Sequence, residues 1–111
     1  MPFRDPIYAL KAEFFRTLGH PVRVRMLELL GAGERTVGSL QAELGLDSSS
    51  TSQHLAALRH QGLVDTRRQG TTVFYRVRNP KLIELLAVAR EIMQAKLSET
   101  SELLAGLDES S

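Results

Sequence analysis

The sequence contains no cysteine and no tryptophan, and it has few aromatic residues of any kind, with four phenylalanines and two tyrosines in 111 residues. Without cysteine the chain has no disulfide, no thiolate metal ligand and no thiol redox sensor. It also has no apolar run long enough to cross a membrane and no signal-peptide segment at its N-terminus. We therefore expect a cytoplasmic protein with no membrane partner.

The length of 111 residues predicts a single domain with one core. The net charge is only +1, but it is unevenly distributed. Residues 1–81 carry twelve lysines and arginines against seven acids, a balance of +5, and residues 82–111 carry two against six, a balance of −4. Five arginines and one acid lie between Arg59 and Arg78. This basic segment indicates attraction to nucleic-acid phosphates, with a solvated basic loop as the alternative.

Residues 36–61 predict two short helices joined by a tight turn. The first helix is predicted at Val37–Leu44 and the second at Ser48–His60. Gly45 in the turn can take the left-handed backbone that ends a helix. Asp47 is a good N-cap for the second helix, because its carboxylate can accept from the N–H groups of the first turn. The segment is therefore predicted to be a helix-turn-helix.

The second of these helices has two unlike faces. Helical spacing directs Thr51, Leu55 and Leu58 toward a core. The opposite face carries small side chains, one amide, one imidazole and no acid, at positions Ser49, Gln53, Ala56, Ala57 and His60. Such a face suits close approach to a DNA major groove, although a Ser-rich helix of an ordinary small α domain would show it too. We predict a recognition helix with DNA contacts at Ser49, Ser50, Ser52, Gln53 and His54.

Two of these contacts are given more specific roles. Gln53 is the predicted base reader, since an amide can both donate and accept at a base edge. His54 lies at the flank of the helix by rotation, so packing or contact with the DNA backbone is its alternative role.

A β-hairpin is predicted directly after the helix-turn-helix. Residues 63–68 and 72–77 read as strands, and Gln69-Gly70-Thr71 reads as the turn between them. A hairpin in this position is the wing of a winged helix, and arginine at its tip suits the minor groove or the flanking phosphates. The predicted wing contacts are Arg67, Arg68, Gln69 and Thr71.

Further helices are predicted at both ends of the chain. One covers residues 7–18, and another begins at Pro21 and is stopped by Gly31-Ala32-Gly33, with His20 between them as a capping or packing residue. A long helix follows Asn79-Pro80 and runs from Lys81 to about residue 97 or 104. The predicted domain spans residues 1–105, and residues 106–111 form a flexible acidic tail.

The first and last helices carry more apolar positions than one subunit needs to cover its core. We predict that they pair in a two-fold homodimer, which matches the symmetry of a palindromic DNA site. The predicted dimerisation residues are Ile7, Leu10, Phe14, Leu82, Leu85, Leu86, Ala89, Ile92 and Met93.

From Ala9 to about Lys96 the chain resembles the ArsR/SmtB family of bacterial winged-helix repressors. The matching segments are Leu18-Gly19-His20-Pro21-Val22-Arg23, Val37-Gly38-Ser39-Leu40, Ser49 through Leu55, Gly62-Leu63-Val64, Arg68-Gln69-Gly70 and Val73-Phe74-Tyr75. The resemblance implies a fold that is mainly α with a small β-hairpin, a dimeric winged helix-turn-helix. It also implies binding to an inverted repeat that overlaps a promoter, with an inducer that releases the DNA.

The sequence departs from this family at the positions where metal-sensing members bind metal. The Cys-Val-Cys motif of arsenic- and cadmium-type members is replaced by Thr36-Val37-Gly38. The resemblance places the zinc ligands of other members at Asn79, Lys81, Ile92 and Ala95, and none of these is a usable ligand. No metal and no cofactor is predicted, and the effector is left open.

The predicted function is that of a homodimeric repressor that binds double-stranded operator DNA and does not sense metal through a family-typical site. One alternative is the same fold used as a protein-interaction module. Another is a repressor that responds to metal through a non-standard site. A hydrolytic enzyme is not expected, because no serine is paired with an oriented His and Asp in a recognisable pattern.

Overall fold

The computed structural model describes residues 4–110, with side chains described as far as Leu107. It has five helices and one two-stranded antiparallel sheet, in the predicted order. The elements are α1 (Pro6–Leu18), α2 (Pro21–Ala32), α3 (Val37–Leu44), α4 (Ser48–His60), β1 (Val64–Gln69), β2 (Thr72–Val77) and α5 (Lys81–Ser110). The predicted bounds of both helices in the helix-turn-helix are confirmed.

Glycines and capping side chains set the ends of the helix-turn-helix. Gly45 ends α3 with a left-handed backbone at φ 65°. The Asp47 carboxylate begins α4, accepting from the Ser50 N–H at 2.6 Å, and this backbone hydrogen bond holds the pKa of the carboxyl below its ordinary value. Gln61 is the C-cap of α4, and Gly62, at φ 71°, comes directly after it. The predicted roles of Gly45 and Asp47 are confirmed.

The last helix is longer than the sequence pattern predicted. Helix α5 contains 30 residues, so residues 106–110, predicted to be a flexible tail, continue the helix. Gly106 alone costs only about 1 kcal/mol relative to alanine, and the leucines, alanines and glutamates before it are good helix formers. Helical spacing and propensity therefore outweigh the acidic, Ser-rich composition used to predict a tail. Residue 111 lies outside the described residues.

The β-hairpin has a regular register from Val64 opposite Val77 to Gln69 opposite Thr72. Gly70 takes the left-handed conformation in the turn, at φ 63°. The first strand was predicted at residues 63–68 and instead begins at Val64. Leu63 is excluded from the ladder because its N–H donates to the Leu58 carbonyl of α4 at 3.0 Å.

The wing is attached to the helix-turn-helix by a backbone pairing that the sequence did not indicate. Arg35, in the segment before α3, pairs with Tyr75 of β2 as an isolated antiparallel bridge. The Arg35 N–H donates to the Tyr75 carbonyl at 3.1 Å, and the Tyr75 N–H donates to the Arg35 carbonyl at 2.7 Å. Arg35 therefore adds a short third strand segment to the sheet, and this pairing fixes the base of the hairpin beside α3.

The core lies between α2, the helix-turn-helix, the start of the hairpin and the start of α5. Met26 and Leu27 of α2 are fully buried, as are Leu40 of α3 and Leu55 of α4. The predicted inward positions of α4, including Thr51 and Leu58, are confirmed. The complete cluster is Leu18, Met26, Leu27, Leu29, Leu30, Leu40, Leu55, Leu58, Leu63, Val64 and Leu82.

Gly31 was predicted to help stop the second helix, but it lies inside the last turn of α2 and allows α5 to approach. A Cβ added at this position would lie 2.7 Å from Cδ1 and 2.9 Å from Cγ1 of Ile83. The second helix does end in the predicted segment, with Gly33 as its C-cap, and Gly31 serves the close packing of two helices.

We expect Gly31→Ala to lower the free energy of unfolding by about 1 kcal/mol, since crowding against Ile83 outweighs the gain in helix propensity. In an Ile83→Ala background the same substitution is expected to stabilise the protein, because the clash is gone. Urea denaturation of the four proteins measures both effects. An equal effect of Gly31→Ala in both backgrounds would contradict the packing explanation.

Candidate nucleic-acid interface

Three of the predicted DNA contacts lie on the outer face of α4 with their side chains exposed. Ser49, Ser52 and Gln53 make no side-chain hydrogen bond to any part of the chain that the structure describes. The inner face of the same helix is buried through Thr51 and Leu55. The outer hydroxyls and amide are therefore available to a ligand, held on a helix that is fixed from behind.

Ser50 is placed differently from the other predicted contacts on α4. Its side chain is half-buried, its N–H donates to Asp47 Oδ1, and its hydroxyl donates to Asp47 Oδ2 at 3.2 Å. These two hydrogen bonds, both donated by Ser50, close the first turn of the helix. Ser50 thus contributes to the N-cap of α4.

His54 faces the flank of α4 and packs against the segment that begins α2. Arg23 Nε donates to His54 Nδ1 at 3.1 Å, and the His20 and His54 ring centroids are 4.3 Å apart. Burial lowers the pKa of His54, and the nearby His20 and Arg23 lower it further. His20 accepts from the Val22 N–H through Nδ1 at 3.3 Å, which confirms its predicted capping and packing role.

The two wing arginines differ in their side-chain contacts. Arg67 donates to Glu34 Oε2 through Nε at 2.9 Å and lies 2.8 Å from it through Nη2, while its guanidinium stacks over the Phe74 ring at 4.7 Å. Arg67 Nη1 also donates to Gln69 Oε1 at 3.1 Å. Arg68 is exposed and has no side-chain partner within the described residues. Only Arg68 therefore projects an unengaged guanidinium from the first strand.

Two ion pairs brace the hairpin. The hydrogen bond from Arg67 lowers the pKa of the Glu34 carboxyl. Asp65 and Arg76 lie opposite each other in the register and pair at 2.6 Å, and this hydrogen bond raises the pKa of Arg76. The role of Glu34 was not predicted, because Glu34 is 33 residues from Arg67 and no local motif links them. Thr71 lies exposed in the turn, as predicted.

The predicted dimerisation residues divide between the surface and the core. Ile7, Leu10, Leu85, Ala89, Ile92 and Met93 are exposed, with Leu10 at 64% and Ile92 at 58%. Leu82 is only 7% exposed and belongs to the subunit core, and Phe14 and Leu86 are half-buried against that core. The prediction for Leu82 was wrong because the first turn of α5 packs on the subunit core, and only the later turns of the helix are exposed.

Exposed apolar side chains on the same two helices extend beyond the predicted set. The additional positions are Tyr8, Phe15, Val88, Leu97, Leu103, Leu104 and Leu107. Their spacing continues the apolar stripe along α1 and α5, which could have indicated them from the sequence.

No group of three or more His, Asp or Glu side chains within residues 4–107 is arranged to hold a metal ion. None of the described helices is long and apolar enough to cross a bilayer.

The helix-turn-helix followed by a paired hairpin and a long closing helix defines a winged helix-turn-helix. In helix-turn-helix proteins the second helix of the motif lies in the DNA major groove. Residues 20–66 match the family described as "Bacterial regulatory protein, arsR family".

Similar proteins agree with this match. The "Uncharacterized HTH-type transcriptional regulator Rv0081" of Mycobacterium tuberculosis is 47% identical over 93% of this chain and 91% of its own length. Its crystal structure superposes with a TM-score of 0.80 over 86% of this chain and 96% of that one, at 49% identity. The "Biofilm growth-associated repressor" of Xylella fastidiosa is 39% identical over 68% of this chain and 66% of its own length.

A solution structure from Mycobacterium bovis, described as a "homodimeric winged helix-turn-helix DNA-binding domain", gives a TM-score of 0.74 at 29% identity, over 80% of this chain and 82% of that one. The chain belongs to the ArsR family of winged-helix regulators. It is a DNA-binding transcriptional regulator, and the predicted family and fold are confirmed.

The two wing arginines are expected to respond differently to truncation. Arg68→Ala should weaken DNA binding and reduce by about one the slope of log affinity against log salt, because one phosphate contact is lost. Arg67→Ala should chiefly lower the melting temperature, since it removes the Glu34 and Phe74 contacts. Salt-dependent fluorescence anisotropy and thermal melting separate the two. A larger loss of slope for Arg67→Ala would reverse the assignment.

Proposed function

We propose that the protein is a homodimeric repressor that binds an inverted-repeat operator in double-stranded DNA, in the cytoplasm. In each subunit α4 enters the major groove, with Gln53 as the base reader and Ser49 and Ser52 as hydroxyl contacts to phosphates or base edges. The wing places Arg68 against the adjacent minor groove or its phosphates. The Xylella relative is itself named a repressor, which supports this direction of regulation.

The observation that carries the proposal is the division of α4 into a buried inner face and a polar, acid-free outer face. Ser49 and Gln53 are exposed on that outer face, whereas Leu55 is 1% exposed on the inner one. Small hydroxyls allow the helix to approach the groove closely, and an amide can bond two atoms of one base. A protein-interaction module would need a large apolar anchor at this point, and the outer face carries none.

The proposed dimer uses the exposed apolar residues of α1 and α5. Ile7 and Leu10 on α1 and Ile92 and Met93 on α5 are each between 45% and 64% exposed in the single subunit. Side chains of this size on two adjoining helices favour burial against a second copy. The homodimeric description of the Mycobacterium bovis relative supports the same assembly.

The residues at the family's metal positions do not fit a metal ion. Asn79 Oδ1 accepts from the Lys81 N–H at 3.0 Å and serves as the cap of α5. Lys81 is a cation, and Ile92 and Ala95 have no donor atom. We therefore propose that the repressor does not respond to metal through this set, and its effector stays open.

Gln53→Ala is expected to lower affinity for the operator about tenfold and to leave affinity for a scrambled duplex within about twofold, because the lost contact reads bases. The matched control is Gln94→Ala, which removes an exposed glutamine from α5. Fluorescence anisotropy on DNA from upstream of the gene, at several salt concentrations and with and without zinc, measures these affinities. Equal losses on both duplexes would contradict base reading, and release by zinc would contradict the metal assignment.

Ile92→Glu is expected to convert the dimer to a monomer at micromolar concentration, because burying an unpaired carboxylate in an apolar interface costs at least ~2 kcal/mol. Ser98→Glu adds the same charge 120° around α5 from Ile92 and 180° from Ala89, at 100° per residue, and should leave the dimer intact. Analytical ultracentrifugation distinguishes the two states. A dimeric Ile92→Glu protein would place the interface elsewhere.

A further inference from the structure

The side chain of Arg23, on α2, contacts both α1 and α4. Its Nη1 donates to the Thr17 carbonyl in the last turn of α1, at 3.3 Å. Its Nε donates to His54 Nδ1 on α4, at 3.1 Å. Arg23 itself lies near the start of α2 and is half-buried. One guanidinium therefore spans from α1, which carries part of the proposed dimer face, to the helix that carries the proposed base reader.

The hydrogen bond from Arg23 fixes the protonation of His54. A guanidinium N–H can only donate, so His54 Nδ1 must be an acceptor. The His54 ring is then neutral with its proton on Nε2. If His54 Nδ1 were protonated as well, its N–H would face the Arg23 Nε–H. Two donors cannot form a hydrogen bond, so the contact with Arg23 would be lost.

We propose that Arg23 is a positioning residue for DNA recognition, which holds the recognition helix in register with α1 through the neutral imidazole of His54. The assignment rests on the proposed function for its DNA readout. Gln53 directly precedes His54 in the chain. A shift of His54 therefore moves the proposed base reader, although Arg23 need not touch DNA.

The surroundings of His54 make this contact sensitive to acid. The charged and titratable groups that act on the imidazole are Arg23 from α2 and His20 from the residue before it, and within the described residues α3 and β1 add none. Both neighbours are basic, so no carboxylate stabilises a protonated His54. Burial and these neighbours lower the pKa of His54, so the contact is intact above the ordinary histidine value of about 6.5 and is lost as pH falls through the lower folded value.

The experiment compares operator and scrambled DNA by fluorescence anisotropy between pH 7.5 and pH 5.5. Arg23→Ala is expected to lower operator affinity about tenfold at pH 7.5, since a charge-assisted hydrogen bond is lost. Arg25→Ala is the matched control, because it removes the same charge from an exposed position on the same helix. Equal losses for the two variants would overturn the proposal.

His54→Asn provides the conservative rescue. Its Oδ1 can accept where Nδ1 accepted, but it does not titrate. We expect this variant to bind operator within about twofold of wild type at pH 7.5 and to lose the acid-induced fall in the operator-to-scrambled ratio. A fall in His54→Asn as large as in wild type would overturn the role of His54.

A DNA-independent measurement separates this proposal from the proposed function. Nitrogen-15 NMR of the histidine rings at pH 7.5 should show His54 protonated on Nε2 in the wild type and should show altered His54 signals in Arg23→Ala. An Nδ1-protonated ring, or signals unchanged by Arg23→Ala, would overturn the contact. If wild type does not distinguish operator from scrambled DNA while the NMR result holds, the proposed function fails and the Arg23–His54 contact stands.

Discussion

The structure depends on the packing of α2 against the helix-turn-helix. Met26 and Leu27 of α2 are completely buried together with Leu40 and Leu58 of the two helices they support. Because this contact buries the whole inner face of α4, the outer face needs no apolar residue to remain helical and in place. The helix can therefore carry hydroxyls and an amide toward solvent. A polar recognition surface is possible only on a helix that is fixed from behind in this way.

The polar residues near the proposed DNA surface have two kinds of role. Three residues form side-chain hydrogen bonds within the chain: Ser50 with Asp47, His54 with Arg23, and Arg67 with Glu34. Ser49, Ser52, Gln53 and Arg68 have no such side-chain partner within the described residues. On the proposed function the first group orients the surface and the second group reads the DNA. Residue types alone do not separate them, since serine and arginine occur in both groups.

Helix α5 connects the DNA-binding unit with the proposed dimer. Leu82 in its first turn is buried in the subunit core, while Ile92 and Met93 further along are exposed. Gly31 lets the first part of this helix approach α2 closely. A rigid helix that is core at one end and interface at the other fixes the distance between two recognition helices, which a two-fold DNA site requires. In the proposed dimer, a structural change at the interface would therefore be transmitted through α5 to the DNA-binding surface.

The sequence by itself determined the order of the elements, the bounds of α3 and α4, and the buried face of α4. These follow from local signals: Gly45 and Asp47 act within one turn, and the spacing of Thr51, Leu55 and Leu58 reports one helix face. Only the tertiary structure decided that Arg67 pairs with Glu34, that Arg23 holds His54, and that Arg35 pairs with Tyr75. These partners are 31 to 40 residues apart, so their contacts depend on how whole elements pack, and no local pattern records that packing.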